Sequence, residues 1–179
     1  MCSSDLLKSF ASGLGEDAQR YSIPLLGGDT VKTPGPMMIS ITALGSTPRG
    51  RMAARTGARA GDLIYVSGTI GDAALGLKAR LGETPSALPE KSRAHLLARY
   101  LEPRPRHELR RVWRDFAHGA MDVSDGLVGD LTKMLKASGA SARVLLAQVP
   151  LSDAAREAID LAPALFDVAI TGEIGRAHV

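Results

Sequence analysis

Cysteine is nearly missing from this 179-residue chain: Cys2 stands alone, so neither a disulfide framework nor a cysteine-built zinc site can form. That usage fits a reducing compartment. Aromatic residues are also scarce, at 4%, which leaves Ala, Leu, Val and Ile to fill any core. No apolar run approaches the roughly 20 residues that cross a bilayer. No basic segment leads into an apolar one at the N-terminus, so a signal peptide is not expected. The expected setting is the cytoplasm. Charge of one sign is not in large excess. A net charge of +3 and a pI near 9.2 favour small anions about as much as nucleic acid. Internal repeats and low-complexity tracts are lacking as well.

What is present is 45% hydrophobic residues, enough for one good core or a domain and a half. Leu6, Leu7, Phe10, Leu14 and Ala18 recur at helical spacing, which predicts an amphipathic helix over 5–20. Residues 23–26 and the Ile- and Thr-containing run 37–44 read as strands on either side of the Pro34-Gly35-Pro36 turn. Residues 47–60 are polar and basic and read as a crossover between domains. Strands are then expected at 63–67, 120–123, 143–147 and 166–170. Helices are expected at 72–81, 91–100, 106–117, 126–137 and 152–161, with Leu109, Val112, Trp113 and Phe116 in the core. Such alternation indicates an α/β unit.

Chemistry concentrates at two turns that follow short apolar runs. In Met121-Asp122-Val123-Ser124-Asp125-Gly126-Leu127, two carboxylates three residues apart can be aimed by one tight turn, which suits a hard divalent cation. The bland reading is a helix N-terminus with Ser124 or Asp125 as the cap. A cap accounts for one of these residues and leaves Asp122 unexplained, while Asp130 reads as simple surface. The second turn, Gly27-Gly28-Asp29-Thr30, has glycines that allow close approach to a phosphate, but from spacing alone an ordinary Gly-Asp hairpin turn is the better reading, and the site reading gains weight only in combination with the first turn. Gly68-Thr69-Ile70-Gly71 is neither a Rossmann fingerprint nor a Walker A loop and reads as a plain strand-to-helix turn. The arginines at 99, 104, 106, 110, 111 and 114 read as a solvated face, interrupted by Glu102, Glu108 and Asp115. His95, His107, His118 and His178 show no metal spacing.

Several pieces in fixed order resemble the thiamine-monophosphate kinase family, within the superfamily of aminoimidazole ribonucleotide synthetase and selenophosphate synthetase. They are Leu26-Gly27-Gly28-Asp29-Thr30, Gly50-Arg51 with Arg55-Thr56-Gly57-Ala58, Gly61-Asp62, Gly68-Thr69-x-Gly71-Asp72, and Asp122-x-Ser124-Asp125-Gly126-Leu127 with Asp130-Leu131. The resemblance implies an α/β (α+β) protein. Residues 1–46 would be the C-terminal part of a ferredoxin-like, dimer-forming domain that binds ATP and metal, 47–60 the crossover, and 61–172 an α/β domain of the aminoimidazole ribonucleotide synthetase type. It further implies phosphoryl transfer from ATP to thiamine monophosphate, several Mg²⁺ ions, a homodimer, and neither nucleic acid nor membrane as partner. Gly28, Asp29, Arg55 and Ser124 would contact ATP, and Asp29, Asp122 and Asp125 would hold metal.

The family's Gly-x-x-Asp-Asp loop and Asn-x-x-Asp segment have no counterpart here. Where the family continues Gly-Asp/Glu-Asp-Tyr-Glu after Thr171-Gly172, this chain has Glu173 and a tail without periodicity. The expectation is a native stretch from about Leu6 to Gly172, a non-native tail over 173–179, and little or no activity of this polypeptide alone. A sister enzyme acting on another acceptor and a nucleic-acid-binding module are the competing readings.

Overall fold

The computed structural model describes residues 3–172, and the expected tail over 173–179 lies outside the described residues. The chain divides into two compact units, Met1–Ser46 and Thr47–Val179.

In the first unit the predicted helix forms as α1, Ser3–Arg20, with Asp5 in its first turn and Arg20 in its last, each complementing the helix dipole. The chain leaves it through Tyr21 and Ser22, whose φ of 53° breaks the helical path. Residues 23–46 contain no helix and no paired strand, so the strands expected at 23–26 and 37–44 are not formed. Ile23, Leu25, Leu26, Met37, Met38, Ile39, Ile41 and Leu44 are accordingly exposed. β-Rich sequence makes a strand only when a neighbour satisfies its N–H and C=O groups.

The second unit holds α2 (Asp72–Arg80), α3 (Glu90–Leu101), α4 (Arg110–Phe116), α5 (Leu127–Ser138), α6 (Asp153–Leu161) and α7 (Leu165–Thr171). Short 3₁₀ turns lie at His107–Leu109 and Leu146–Gln148. Among the described residues no strand is assigned, so 63–67, 120–123 and 143–147 run as unpaired chain apart from the 3₁₀ turn. The expected last strand, 166–170, is helical instead. Pro163 and Ala164 lead into it, Leu165 and Ala169 meet one core one turn apart, and Ile170 enters another. Burial at a 3.6-residue period overrides the β-propensity of Val168 and Ile170.

The larger core joins α2, α3, α6 and α7 through Leu75, Leu88, Leu96, Ala154, Ala155, Ala158, Leu165 and Ala169. Half of these are alanines, so the helices close tightly. A Cβ on Gly76 of α2 would lie 2.1 Å from the Leu96 carbonyl oxygen of α3, which only glycine avoids. Ser152 caps α6 by accepting the Ala155 N–H at 3.0 Å. The smaller core joins Ile70, Leu127, Val149 and Ile170, and carries the N-terminus of α5.

The expected core role of α4 is not observed. Val112 and Phe116 are 49% and 80% exposed, Trp113 is also exposed and Leu109 is half-buried. Arg110, Arg111 and Arg114 ring this short helix, and its only element contact among the described residues is with the 3₁₀ turn before it.

Candidate functional site

The acidic turn is built by a side chain that sequence reasoning placed on the surface. Asp130 lies in the first turn of α5 and is 2% exposed. Its Oδ2 accepts the backbone N–H groups of both Ser124 and Asp125 at 2.8 Å. Its Oδ1 accepts from the Lys133 ammonium at 2.9 Å, and the same ammonium donates to Asp125 Oδ2 at 2.5 Å. The result is a closed ring: Asp125 backbone, Asp130, Lys133 and back to the Asp125 carboxylate. Burial pushes the Asp130 carboxyl up, but Lys133 and the two N–H groups outweigh it and hold the group below the ordinary aspartate range. Contact with Asp125 and Asp130 raises Lys133 above its ordinary value.

This arrangement corrects the capping expectation. The N-cap of α5 is Gly126, and neither Ser124 nor Asp125 caps the helix with its side chain. The acid reaches backward from within the helix instead. The Ser124 and Asp125 side chains are left exposed, as is Asp122. Gly126 has φ 102°, and a Cβ there would lie 2.2 Å from the Thr171 carbonyl, so the turn is seated directly on the end of α7. No local sequence signal separates this clamp from a surface carboxylate, because Asp130 sits in the first turn of α5 in either case.

The remaining candidates fall elsewhere. Gly28 and Asp29 belong to the first unit, where Asp29 Oδ1 accepts the Thr30 N–H at 2.7 Å and is exposed. Arg55 is in the second unit and exposed. Its carbonyl accepts from Ser138 Oγ at 3.2 Å, at the C-terminal end of α5. At 1.5 Å per residue that anchor lies roughly 18 Å along the helix axis from the acidic turn. The structure thus groups Asp122, Ser124 and Asp125 on one turn and fastens the Arg55 backbone at the other end of the helix.

Two further polar clusters escaped the sequence reading. Asp72 is 3% exposed and accepts from Thr69 Oγ1 at 2.6 Å and Ser152 Oγ at 2.5 Å, with His95 Nε2 at 3.5 Å. It pins the Gly68–Gly71 turn to the start of α6. Asp62 is held below the ordinary aspartate range by the Arg59 N–H at 2.9 Å and the His118 ring at 2.8 Å.

Among the described residues no three His, Cys, Asp or Glu side chains gather around one point as a metal cage. The donor set of the turn nonetheless suits a hard cation. Its carboxylates are outward-facing oxygens, and a cation, the Lys133 ammonium, already stands against Asp125 and Asp130. Mg²⁺ is commonly held by one or two carboxylates with the rest of its shell from phosphates and water.

Residues 59–167 match the family model described as AIR synthase related protein, C-terminal domain, and the chain belongs to that family. Within it, the similarity is to thiamine-monophosphate kinases. The Caulobacter vibrioides thiamine-monophosphate kinase is 47% identical over 156 residues, 87% of this chain and 43% of that protein. The crystal structure of thiamine-monophosphate kinase from Stenotrophomonas maltophilia matches with TM-score 0.61 and 38% identity, over 69% of this chain and 40% of that one. The structure of AaThiL complexed with AMPPCP and TMP matches with TM-score 0.61 and 32% identity, over 68% and 39%. The chain spans somewhat under half the length of the relatives it matches. Among the described residues no helix is long and apolar enough to cross a membrane.

Proposed function

We propose that this chain carries the nucleotide- and metal-facing acidic turn of an enzyme that transfers the γ-phosphoryl group of ATP to thiamine monophosphate, giving thiamine diphosphate and ADP. The observation that carries the reading is the clamped turn: Asp130 turns the Ser124 and Asp125 amides inward, so that their side chains and Asp122 face out together. Similarity to kinases and to a complex holding an ATP analogue and TMP supports the substrates.

In this reading Asp122 and Asp125 would hold Mg²⁺, and Asp29 is a further candidate ligand. When bound, the ion neutralises the phosphate charge that otherwise keeps two anions apart. The protein's own part is positioning. Ser124 offers a hydroxyl to a phosphate oxygen, Gly28 leaves backbone open to close approach, and Arg55 offers a guanidinium to the triphosphate. Free ATP would bring its own negative charge against Asp122 and Asp125, so the turn favours metal-bound nucleotide over free ATP. The segments 23–26 and 37–44 are proposed to pair as strands of a ferredoxin-like sheet, completed in a homodimer in the cytoplasm.

The deciding experiment is phosphoryl transfer from radiolabelled ATP to thiamine monophosphate by the protein, with Mg²⁺ present and absent. Labelled thiamine diphosphate is expected from a protein of the relatives' length that carries this chain, lost in its Asp125→Asn variant, and little or none from these 179 residues alone. Label transferred to a different phosphorylated or amidine acceptor, with thiamine monophosphate inert, would replace this reading by that of a sister enzyme.

A further inference from the structure

Among the described residues Lys133 is the cation that the acidic turn contacts, through both Asp125 and Asp130. As the i+3 partner of Asp130 it satisfies a buried carboxylate, which is an ordinary structural role. Its second contact is different. The ammonium also stands 2.5 Å from Asp125 Oδ2, on a side chain that is 69% exposed and upstream of the helix. An exposed pair of this kind adds little to folding, so the reach to Asp125 needs another account. Lysine is a compact charge on a flexible stem, without the fixed fork of arginine, and can leave one partner while keeping another.

We propose that Lys133 is the resident counter-cation of the acidic turn: it holds Asp125 until a divalent ion arrives, and its charge weakens the binding of that ion. The inference rests on the reading of Asp125 as a metal ligand. Nζ occupies the coordination space of Asp125 Oδ2, so an ion binding that oxygen must push the ammonium aside and bind against its charge. Asp130 keeps Lys133 tethered in the displaced state, so the ammonium returns when the ion leaves. The turn then stays charge-compensated when empty, and ions are bound weakly enough to exchange with each nucleotide.

The test is a titration of the full chain with Mn²⁺ at low ionic strength, reading free aquated Mn²⁺ by electron paramagnetic resonance. Removing a charge beside a divalent ion should tighten its binding by roughly tenfold. Lys133→Gln is therefore expected to bind Mn²⁺ about tenfold more tightly than the natural chain, and Lys133→Arg to bind it no more tightly. In the Asp125→Asn background, Lys133→Gln should bring no gain. A Lys133→Gln protein that binds Mn²⁺ equally or more weakly, while Asp125→Asn weakens binding in the natural background, overturns the inference and leaves the kinase reading intact. Asp125→Asn with undiminished Mn²⁺ binding overturns both. An independent readout needs no substitution. Saturating Mg²⁺ should increase acylation of Lys133 by a lysine-selective reagent, mapped by mass spectrometry, and unchanged reactivity overturns the inference even if Lys133→Gln does not fold.

Discussion

Replacing Asp130 by alanine removes the acceptor of two backbone N–H groups and one ammonium at a nearly fully buried position. Unpaired buried donors cost about 1–3 kcal/mol each in desolvation, less where water can enter. Asp130→Ala should therefore destabilise by about 2–3 kcal/mol in urea unfolding, whereas Thr132→Ala on the exposed face of α5 should change little. The same scale holds a pH effect at Asp62. The Arg59 N–H and His118 depress its folded pKa below the unfolded value. Its contribution is thus complete above the unfolded pKa and disappears as pH falls through the lower folded value. The melting-temperature difference between the natural chain and Asp62→Asn should be constant near neutrality and shrink in acid. Equal differences at pH 3 and pH 7 would contradict it. Spacing alone singles out Asp122, Ser124 and Asp125 as a candidate site, and the structure leaves all three exposed on one turn. Asp130 was not legible, because a carboxylate one turn inside an amphipathic helix reads the same whether it faces water or folds back on the preceding amides.

At the scale of elements, the helices were the readable part, since their apolar periodicity and punctuation are local. The turns at Gly82 and at Pro103 and Pro105 delimit α2 and α3 in sequence as they do in space. The segment 165–171 was misread because seven residues with Val and Ile leave too short a window to separate period 2 from period 3.6. Trp113 and Phe116 were misread for a different reason: periodicity identifies an apolar face but not whether a neighbour covers it. The close approach of α2 to α3 gives a sharp expectation. Gly76→Ala gains about 1 kcal/mol in helix propensity, yet must displace the Leu96 carbonyl. A net loss of stability by calorimetry is expected, and a more stable variant would show that the helices separate at little cost. Ser152→Ala loses both the α6 cap and a partner of Asp72, and about 1–2 kcal/mol is expected from the cap alone.

At the scale of the whole molecule, the β-rich segments expose Leu63, Ile64 and Tyr65 in one unit and Met37, Met38, Ile39 and Ile41 in the other. Unpaired runs of this composition seek strand partners. Amide exchange across 37–44 should slow as protein concentration rises, and Ile39→Lys with Ile41→Lys should abolish that dependence. Exchange rates independent of concentration would show that these segments do not pair between copies. Strand pairing was beyond the sequence because it depends on which other chain segment lies alongside, and nothing local to residues 37–44 encodes that.

The seat of Gly126 on Thr171 and Gly172 has a mechanical consequence. With no room for even a methyl group between them, the start of α5 and the finish of α7 must travel together. A ligand bound at Asp125, as proposed, is therefore expected to strain the last bond of α7, from the Gly172 amide to the Val168 carbonyl at 2.9 Å. The proton on that amide becomes a remote gauge of whether the acidic turn is loaded, legible by exchange even when the ligand itself is invisible.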